Sequence, residues 1–263
     1  MSEVPPPVRI ELRGRALWIT IDREARRNAM NKAVLGAIED AVTTLPAGVR
    51  AVVLTGAGNR AFCAGADLSV GTGTFTLGLD EPMTDFGRLA RAVRNLGVPL
   101  IARVNGDCVA GGMGLLGLAD LAIATNTARF GLPEARVGVF PMQVLVFLRS
   151  LIGARHINQL CLTGELISAA RACEIGLLNA AVAPEALDGA IEDLLAKIAA
   201  MSPTALKRGK YAIAAMEKMA FPEALAFAET LIAVTSMTED ATEGLAAFNE
   251  KRKPRWAVEN DGE

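Results

Sequence analysis

Residues 104–134 read VNGDCVAGGMGLLGLADLAIATNTARFGLPE. Gly111, Gly112 and Gly114 open an apolar run of helical character, a short apolar segment follows at 121–124, and a lone acid, Glu134, closes a Gly-Leu-Pro-Glu turn. Glycine lets a backbone approach a ligand with no Cβ in the way. A helix that opens there aims unpaired N–H groups at the ligand. A carboxylate delivered shortly afterwards by a rigid turn can act on whatever those N–H groups polarise. This is the layout of a site that stabilises an oxyanion and moves a proton beside it.

Outward from this stretch, segments 8–12 and 17–21 read as two strands joined by a turn, a hairpin. Segment 31–45 reads as a helix: Asn31 is the cap, and Val34, Leu35, Ile38, Ala41, Val42 and Leu45 share a face. Segments 51–55, 100–104 and 121–124 are continuous apolar strands, and 85–96 is a helix. Residues 56–82, rich in Gly and Thr, hold no clear period and are expected to form a loop. Strand–helix alternation with continuous apolar strands indicates an α/β fold with crossovers. From Val144 the pattern is almost wholly helical, with Ser168 capping one helix and Pro184, Pro203 and Pro222 each just inside the start of a segment. The division expected is an α/β core over residues 1–200 and a smaller helical module over 201–263.

Composition narrows the function class. The chain has 263 residues, of which 51% are hydrophobic, enough for one large domain with a sizeable core. The net charge is -2, and the one basic run is KRKPR at 251–255, so no nucleic-acid partner is expected. No uninterrupted apolar run is long enough to span a bilayer, and no membrane partner is expected. The four cysteines form no Cys-x-x-Cys pair and the single histidine, His156, has no second ligand type beside it, so no metal site is expected. Unpaired cysteines, and termini without a targeting pattern, point to the cytoplasm.

Two glycine patterns match a dinucleotide fingerprint: Gly56-x-Gly58-x-x-Ala61 and Gly112-x-Gly114-x-x-Gly117. The first should open a helix, but FCAGADLSVGTGT at 62–74 is too glycine-rich to be one. The second lies mid-chain. Close packing at turns accounts for some of these glycines but not for the similar surroundings of the two clusters, an apolar strand, a Gly-rich turn and a polar step. A nicotinamide oxidoreductase stays as a rival that predicts NAD(P) binding without coenzyme A.

AFCAGADL at 61–68, VNGDCVAGG at 104–112 and ARFGLPEARVGVFP at 128–141, in that order, resemble the crotonase (enoyl-CoA hydratase/isomerase) superfamily. RRNAMN at 26–31, LTGELISAARACEIGLLN at 162–179 and GLAAFNEKRKP at 244–254 fit the same pattern. The resemblance implies a crotonase-like ββα spiral core with a helical C-terminal trimerisation module, and an acyl-CoA thioester as substrate. It implies an oxyanion hole from two backbone N–H groups, which fall on Ala66 and Gly111. Asp67, beside the first, is read as capping the turn that follows, and Asp120 as structural.

Hydratases of the family carry two glutamates. The second, in the Phe-Gly-x-Pro-Glu turn, is Glu134. At the first position this sequence has Gly114, flanked by Met113 and Leu115. The segment after Pro141 also departs from the family's glycine-rich pattern and reads Met142, Gln143, Val144, Leu145. Hydration divides its work between two carboxylates, whereas moving a double bond from β,γ to α,β needs one base. Glu134 alone suits that shuttle, with Phe140, Met142 and Val144 as an apolar wall that raises its pKa. Gly114, Phe140, Met142 and Gln143 are the candidate substrate pocket, and Gln143 or Asp107 would hold a water if hydration were the reaction. The other reading of Glu134 is a turn acid paired with Arg129 or Arg136.

The resemblance further places coenzyme A, carried as part of the substrate with no permanently bound cofactor, against Arg26, Arg27 and Ala64. Phe248 and Lys251 match an aromatic–lysine pattern that a neighbouring subunit contributes, which implies a homo-oligomer, a trimer or a pair of trimers. The expectation is therefore an enoyl-CoA hydratase/isomerase type of enzyme. The alternative is a non-catalytic acyl-CoA-binding homologue in which the missing acid marks lost chemistry.

Overall fold

The computed structural model describes residues 6–75 and 82–258. The expectations for the chain's first and last five residues, and for 76–81 of the predicted loop, lie outside the described residues. Ten strands and ten α-helices are described: β1 Val8–Arg13, β2 Ala16–Ile21, α1 Lys32–Thr43, β3 Ala51–Gly56, β4 Ala61–Cys63, α2 Asp85–Arg94, β5 Leu100–Val104, β6 Asp107–Val109, α3 Gly111–Leu118, β7 Leu121–Thr125, β8 Arg129–Gly131, α4 Met142–Leu148, α5 Ala154–Thr163, β9 Ile167–Ser168, α6 Ala169–Glu174, β10 Ala180–Val182, α7 Leu187–Ala199, α8 Pro203–Met216, α9 Phe221–Ser236 and α10 Glu239–Asn249.

The strands form two sheets. A six-stranded sheet has the order β1-β2-β3-β5-β7-β10, parallel except for the β1–β2 hairpin, and a four-stranded sheet has the order β4-β6-β8-β9. Each turn of the chain lays a long strand in the first sheet, a short strand in the second, then a helix: β3-β4-α2, β5-β6-α3, β7-β8-α4. This is the ββα spiral, an α/β fold. The long strands read as continuous apolar runs because both faces of the sheet are covered. Leu17, Ile19, Ile21, Val52, Leu54, Leu100, Ala102 and Val104 point into the main core with α1, α2 and α3. Their alternates Trp18, Val53, Ile101 and Ile123 pack with Leu187, Ile191 and Ile198 of α7. Each fully buried aliphatic side chain contributes roughly 1.5–3 kcal/mol.

Local signals act as expected at several ends. Asn31 caps α1, accepting from the Val34 N–H at 2.9 Å. Ser168 caps α6, accepting from the Arg171 N–H at 3.2 Å. Pro184, Pro203 and Pro222 occupy the first turns of their helical segments, where a missing N–H costs nothing. Two readings need correction. The region 56–82 is not one loop: it contains strand β4 and 3-10 turns over Leu68–Phe75. The chain after Val144 is interrupted by β9 and β10, which return to the edges of the two sheets. Helices α8, α9 and α10 pack on one another, and neither α8 nor α9 buries a single residue fully.

Candidate active site

The second sheet delivers the three candidate catalytic positions. Its strands β4, β6 and β8 are parallel neighbours with Cys63, Cys108 and Phe130 in register. Ala66, Gly111 and Glu134 each follow a strand of this row by a few residues, so the chain presents them at the same, C-terminal end of the sheet. In open α/β sheets ligands bind at such ends.

The two amides lie close to one another. Among the described residues neither the Ala66 nor the Gly111 N–H has a hydrogen-bond acceptor. A Cβ on Gly111 would lie 3.4 Å from the Ala66 nitrogen, and a Cβ on Gly65 3.1 Å from the Gly111 nitrogen. Gly65 has φ +98°, a conformation L side chains rarely adopt, and a Cβ there would also stand 2.8 Å from the Ala110 Cβ. Ala110 itself has φ 52° and ψ -128°, a strained backbone for a residue with a Cβ. It is held on both sides: its N–H donates to Gly131 O at 2.9 Å and its carbonyl accepts from Met113 N at 2.9 Å. The strain turns the chain abruptly from β6 into α3, so that Gly111 opens the helix with a free N–H.

Glu134 begins a short 3-10 turn, Glu134–Val137. The carboxylate is half-buried, and its Oε2 is shielded from solvent with no hydrogen-bond partner among the described residues. Burial pushes its pKa up from 4.5 to about 6, against a smaller pull from its own backbone N–H. The arginines that could have made it a surface ion pair are engaged elsewhere. Arg129 binds both oxygens of Asp107, and Arg136 donates to Gly164 O at 2.8 Å. A nearby ionisable group is the Cys161 thiol of α5, raised to about 11 by burial first and by the Glu134 charge second.

Gly114 lies buried inside α3, where any side chain would collide with its neighbours. A Cβ there would meet Phe86 Cζ at 2.7 Å and Val144 Cγ2 at 3.2 Å. Phe86 is fixed edge-on to Phe147, ring centroids 6.1 Å apart. The glycines of this fingerprint are thus spent on close packing of α3: a Cβ on Gly112 would meet the Cys63 carbonyl, and one on Gly117 would meet Phe147. The Gly56–Gly58 pattern is followed by strand β4 and not by a helix.

A profile of the family described as enoyl-CoA hydratase/isomerase matches residues 13–259. The chain belongs to that family. It is 33% identical over 255 residues to the short-chain-enoyl-CoA hydratase of Clostridium acetobutylicum, covering 93% of this chain and 95% of that one. It is likewise 33% identical over 244 residues to the crotonyl-CoA hydratase of Syntrophomonas wolfei, covering 90% and 92%. Among solved structures, the enoyl-CoA hydratase of Mycobacterium smegmatis superposes with a TM-score of 0.87 at 35% identity, covering 96% of this chain and all of that one.

Within this enoyl-CoA hydratase/isomerase fold the remaining candidates fall as follows. Arg26 and Arg27 are exposed on the turn before α1, and the Ala64 N–H donates to Arg27 O at 3.0 Å, so these three coenzyme A candidates lie together. Phe248 and Lys251 stand at the end of α10. Phe248 is 81% exposed, and Lys251 takes a left-handed φ of 54°. The adjacent Arg252 is bound by Glu243 and Glu250. Phe140 is half-buried and packs against the main core, while Met142 is 68% exposed at the start of α4. Gln143 donates to Thr84 Oγ1 at 2.5 Å and so ties α4 to the cap of α2. Asp67 accepts from the Ser69 N–H at 3.1 Å, the capping role expected of it. Asp120 accepts from Leu100 N and pairs with Lys210.

Sequence reasoning did not single out Phe86, Cys161, Ala110 or Arg23. Phe86 and Cys161 come from separate helices far along the chain, and no local pattern announces that they meet the site. Among the described residues no helix is long and apolar enough to cross a membrane, and no cluster of three or more His, Cys, Asp or Glu could hold a metal ion.

Proposed function

We propose that this protein acts on an acyl-CoA thioester by oxyanion-stabilised enolate chemistry with Glu134 as the single acid/base, as in moving a double bond from the 3- to the 2-position of an enoyl-CoA. The Ala66 and Gly111 N–H groups receive the thioester oxygen as negative charge develops on it. One such donor is worth about 3 kcal/mol in the transition state. Glu134 removes a proton from C2 and returns it at C4. A carboxylate with a pKa near 6 is ionised at neutral pH yet basic enough for that exchange. The observation that carries the reading is Glu134 itself: a buried carboxylate oxygen without a partner among the described residues, at the end of the same parallel strands as two amides that likewise have no acceptor among them.

That the reaction needs only one base is supported by Gly114, whose side-chain space is taken by Phe86 and Val144. Hydration of a 2-enoyl-CoA is the second reading, favoured by relatives named as hydratases. Its water would need another holder, and both candidates are engaged, Asp107 by Arg129 and Gln143 by Thr84.

Coenzyme A enters as part of the substrate, with Arg26, Arg27 and Ala64 near its phosphates and Phe248 and Lys251 of a neighbouring subunit completing the site. Exposed Tyr211, Ile213, Phe221, Ile232 and Met237 on α8 and α9 and the turn after them support residues 201–263 as the module that assembles a trimer or a pair of trimers. Residence in the cytoplasm is part of the same proposal, supported by four free cysteines.

The test is turnover of matched 2-enoyl- and 3-enoyl-CoA by wild type and Glu134→Gln. Conversion of the 3-enoyl substrate alone, lost in the variant, is the expected result. Water addition to the 2-enoyl substrate at comparable rate favours hydration. Tight binding of both thioesters without turnover overturns the enzymatic reading.

A further inference from the structure

The segment that carries the first amide, residues 64–67, belongs to no strand or helix, yet an oxyanion donor must hold its direction to within a fraction of an ångström. Two backbone bonds flank Ala66. The Met30 N–H donates to Gly65 O at 2.8 Å and the Asp67 N–H donates to Met30 O at 2.7 Å, so that the Ala66 N–H itself points away from Met30. The Met30 side also reaches the hole: a Cβ on Gly111 would touch Met30 Cε at 2.8 Å.

One side chain spans both halves of this bridge. Arg23 donates through Nη1 to Ala29 O at 2.5 Å and through Nη2 to Asp67 Oδ2 at 2.7 Å. The pair is mostly buried, with side chains 17% and 12% exposed. Arg23 is fixed in turn by Asn28, whose Oδ1 accepts from the Arg23 N–H at 3.1 Å and whose Nδ2 donates to Ala57 O and Ala61 O. Arg27 and Asn28 both adopt left-handed φ, 50° and 56°. Such conformations persist in residues with side chains only where the surroundings over-determine them.

We propose that Arg23 is a positioning residue, a guanidinium clamp that locks segments 27–30 and 64–67 together and thereby aims the Ala66 N–H at the thioester oxygen. The proposal rests on the oxyanion hole of the reading above. A planar fork makes both bonds at once, whereas an ammonium is a single point of charge. Asp67, which the Arg23 hydrogen bond holds down to about 2, stays ionised throughout the working pH range.

The experiment compares wild type, Arg23→Ala, Arg23→Lys and Asp67→Asn by two readouts. The first is kcat against KM on the enoyl-CoA that wild type converts. The second is the carbonyl stretch of a bound 2-enoyl-CoA labelled with carbon-13 at the thioester, read by isotope-edited infrared spectroscopy. The proposal expects the wild-type band to move to lower frequency on binding and to move back in the variants. It also expects kcat to fall about 10- to 100-fold with KM within about threefold, and Arg23→Lys not to restore it.

A folded Arg23→Ala enzyme with wild-type kcat and an unchanged band overturns the clamp. Should that variant not fold, Asp67→Asn, nearly the same in shape, carries the same comparison. A wild-type protein that binds the thioester with no shift of the band removes the oxyanion reading itself, and the clamp with it.

Discussion

Replacing Gly111 with alanine separates catalysis from folding. Gly111 has no positive φ, so its backbone accepts a Cβ without strain. At the start of α3, alanine is favoured over glycine by up to about 1 kcal/mol. The methyl group meets Met30 Cε at 2.8 Å, but that is the tip of a flexible side chain that can turn aside. The net stability change is therefore within about 1 kcal/mol of zero. The same methyl would sit 3.4 Å from the Ala66 nitrogen, crowding the place where, under the proposed function, the thioester oxygen comes within about 3 Å of both donors. Displacing the oxygen from one donor costs about 2.7 kcal/mol, roughly 100-fold in kcat. Thermal unfolding followed by circular dichroism, with steady-state turnover of the enoyl-CoA on the same preparation, measures both. Wild-type kcat in a stable Gly111→Ala protein refutes the placement of the oxyanion hole.

Other consequences follow from the neighbouring residues. Gly114→Ala puts a methyl 2.7 Å from Phe86 Cζ and is expected to destabilise by about 1–3 kcal/mol; Phe86→Leu in the same chain should recover part of the loss in a denaturant titration. Glu134 has a folded pKa of about 6 against an ordinary 4.5, so the folded state holds the proton more tightly than the unfolded chain. The stability this gives is complete below pH 4.5 and is lost as pH rises through about 6. Glu134→Gln should therefore be the more stable protein at pH 7–8, by on the order of 1 kcal/mol once partial exposure is allowed for, with the advantage shrinking toward pH 4 in thermal melts. Turnover by wild type should fall about tenfold per pH unit below about 6 as the base is protonated, a limb that a pH–kcat/KM profile reads directly.

The features of the fold legible in the sequence are those set by local chemistry. Asn31, Ser168 and the three prolines mark helix starts because their caps and missing N–H groups act within one turn. The apolar runs of β2, β3 and β5 read as strands buried on both faces. The second sheet stayed hidden because β4, β6 and β8 are three residues long, too short for any period to register. That sheet lines up Ala66, Gly111 and Glu134, so motif resemblance could suggest the residues while their geometry remained invisible. Distance in sequence hid the rest. Arg23 reaches Asp67 44 residues away, and Phe86 fills the space over Gly114 from another helix. The burial that raises Glu134 is likewise a tertiary property that its turn motif does not encode.

Under the proposed function, Glu134 moves a proton at the carbon next to a thioester carbonyl held by two amides. Its most direct test is exchange of the C2 proton of a bound acyl-CoA in deuterium oxide, followed by proton NMR for wild type and Glu134→Gln. Wild type is expected to show enzyme-dependent exchange and the variant exchange at least a hundredfold slower, about 2.7 kcal/mol. Exchange at the wild-type rate in Glu134→Gln would contradict it.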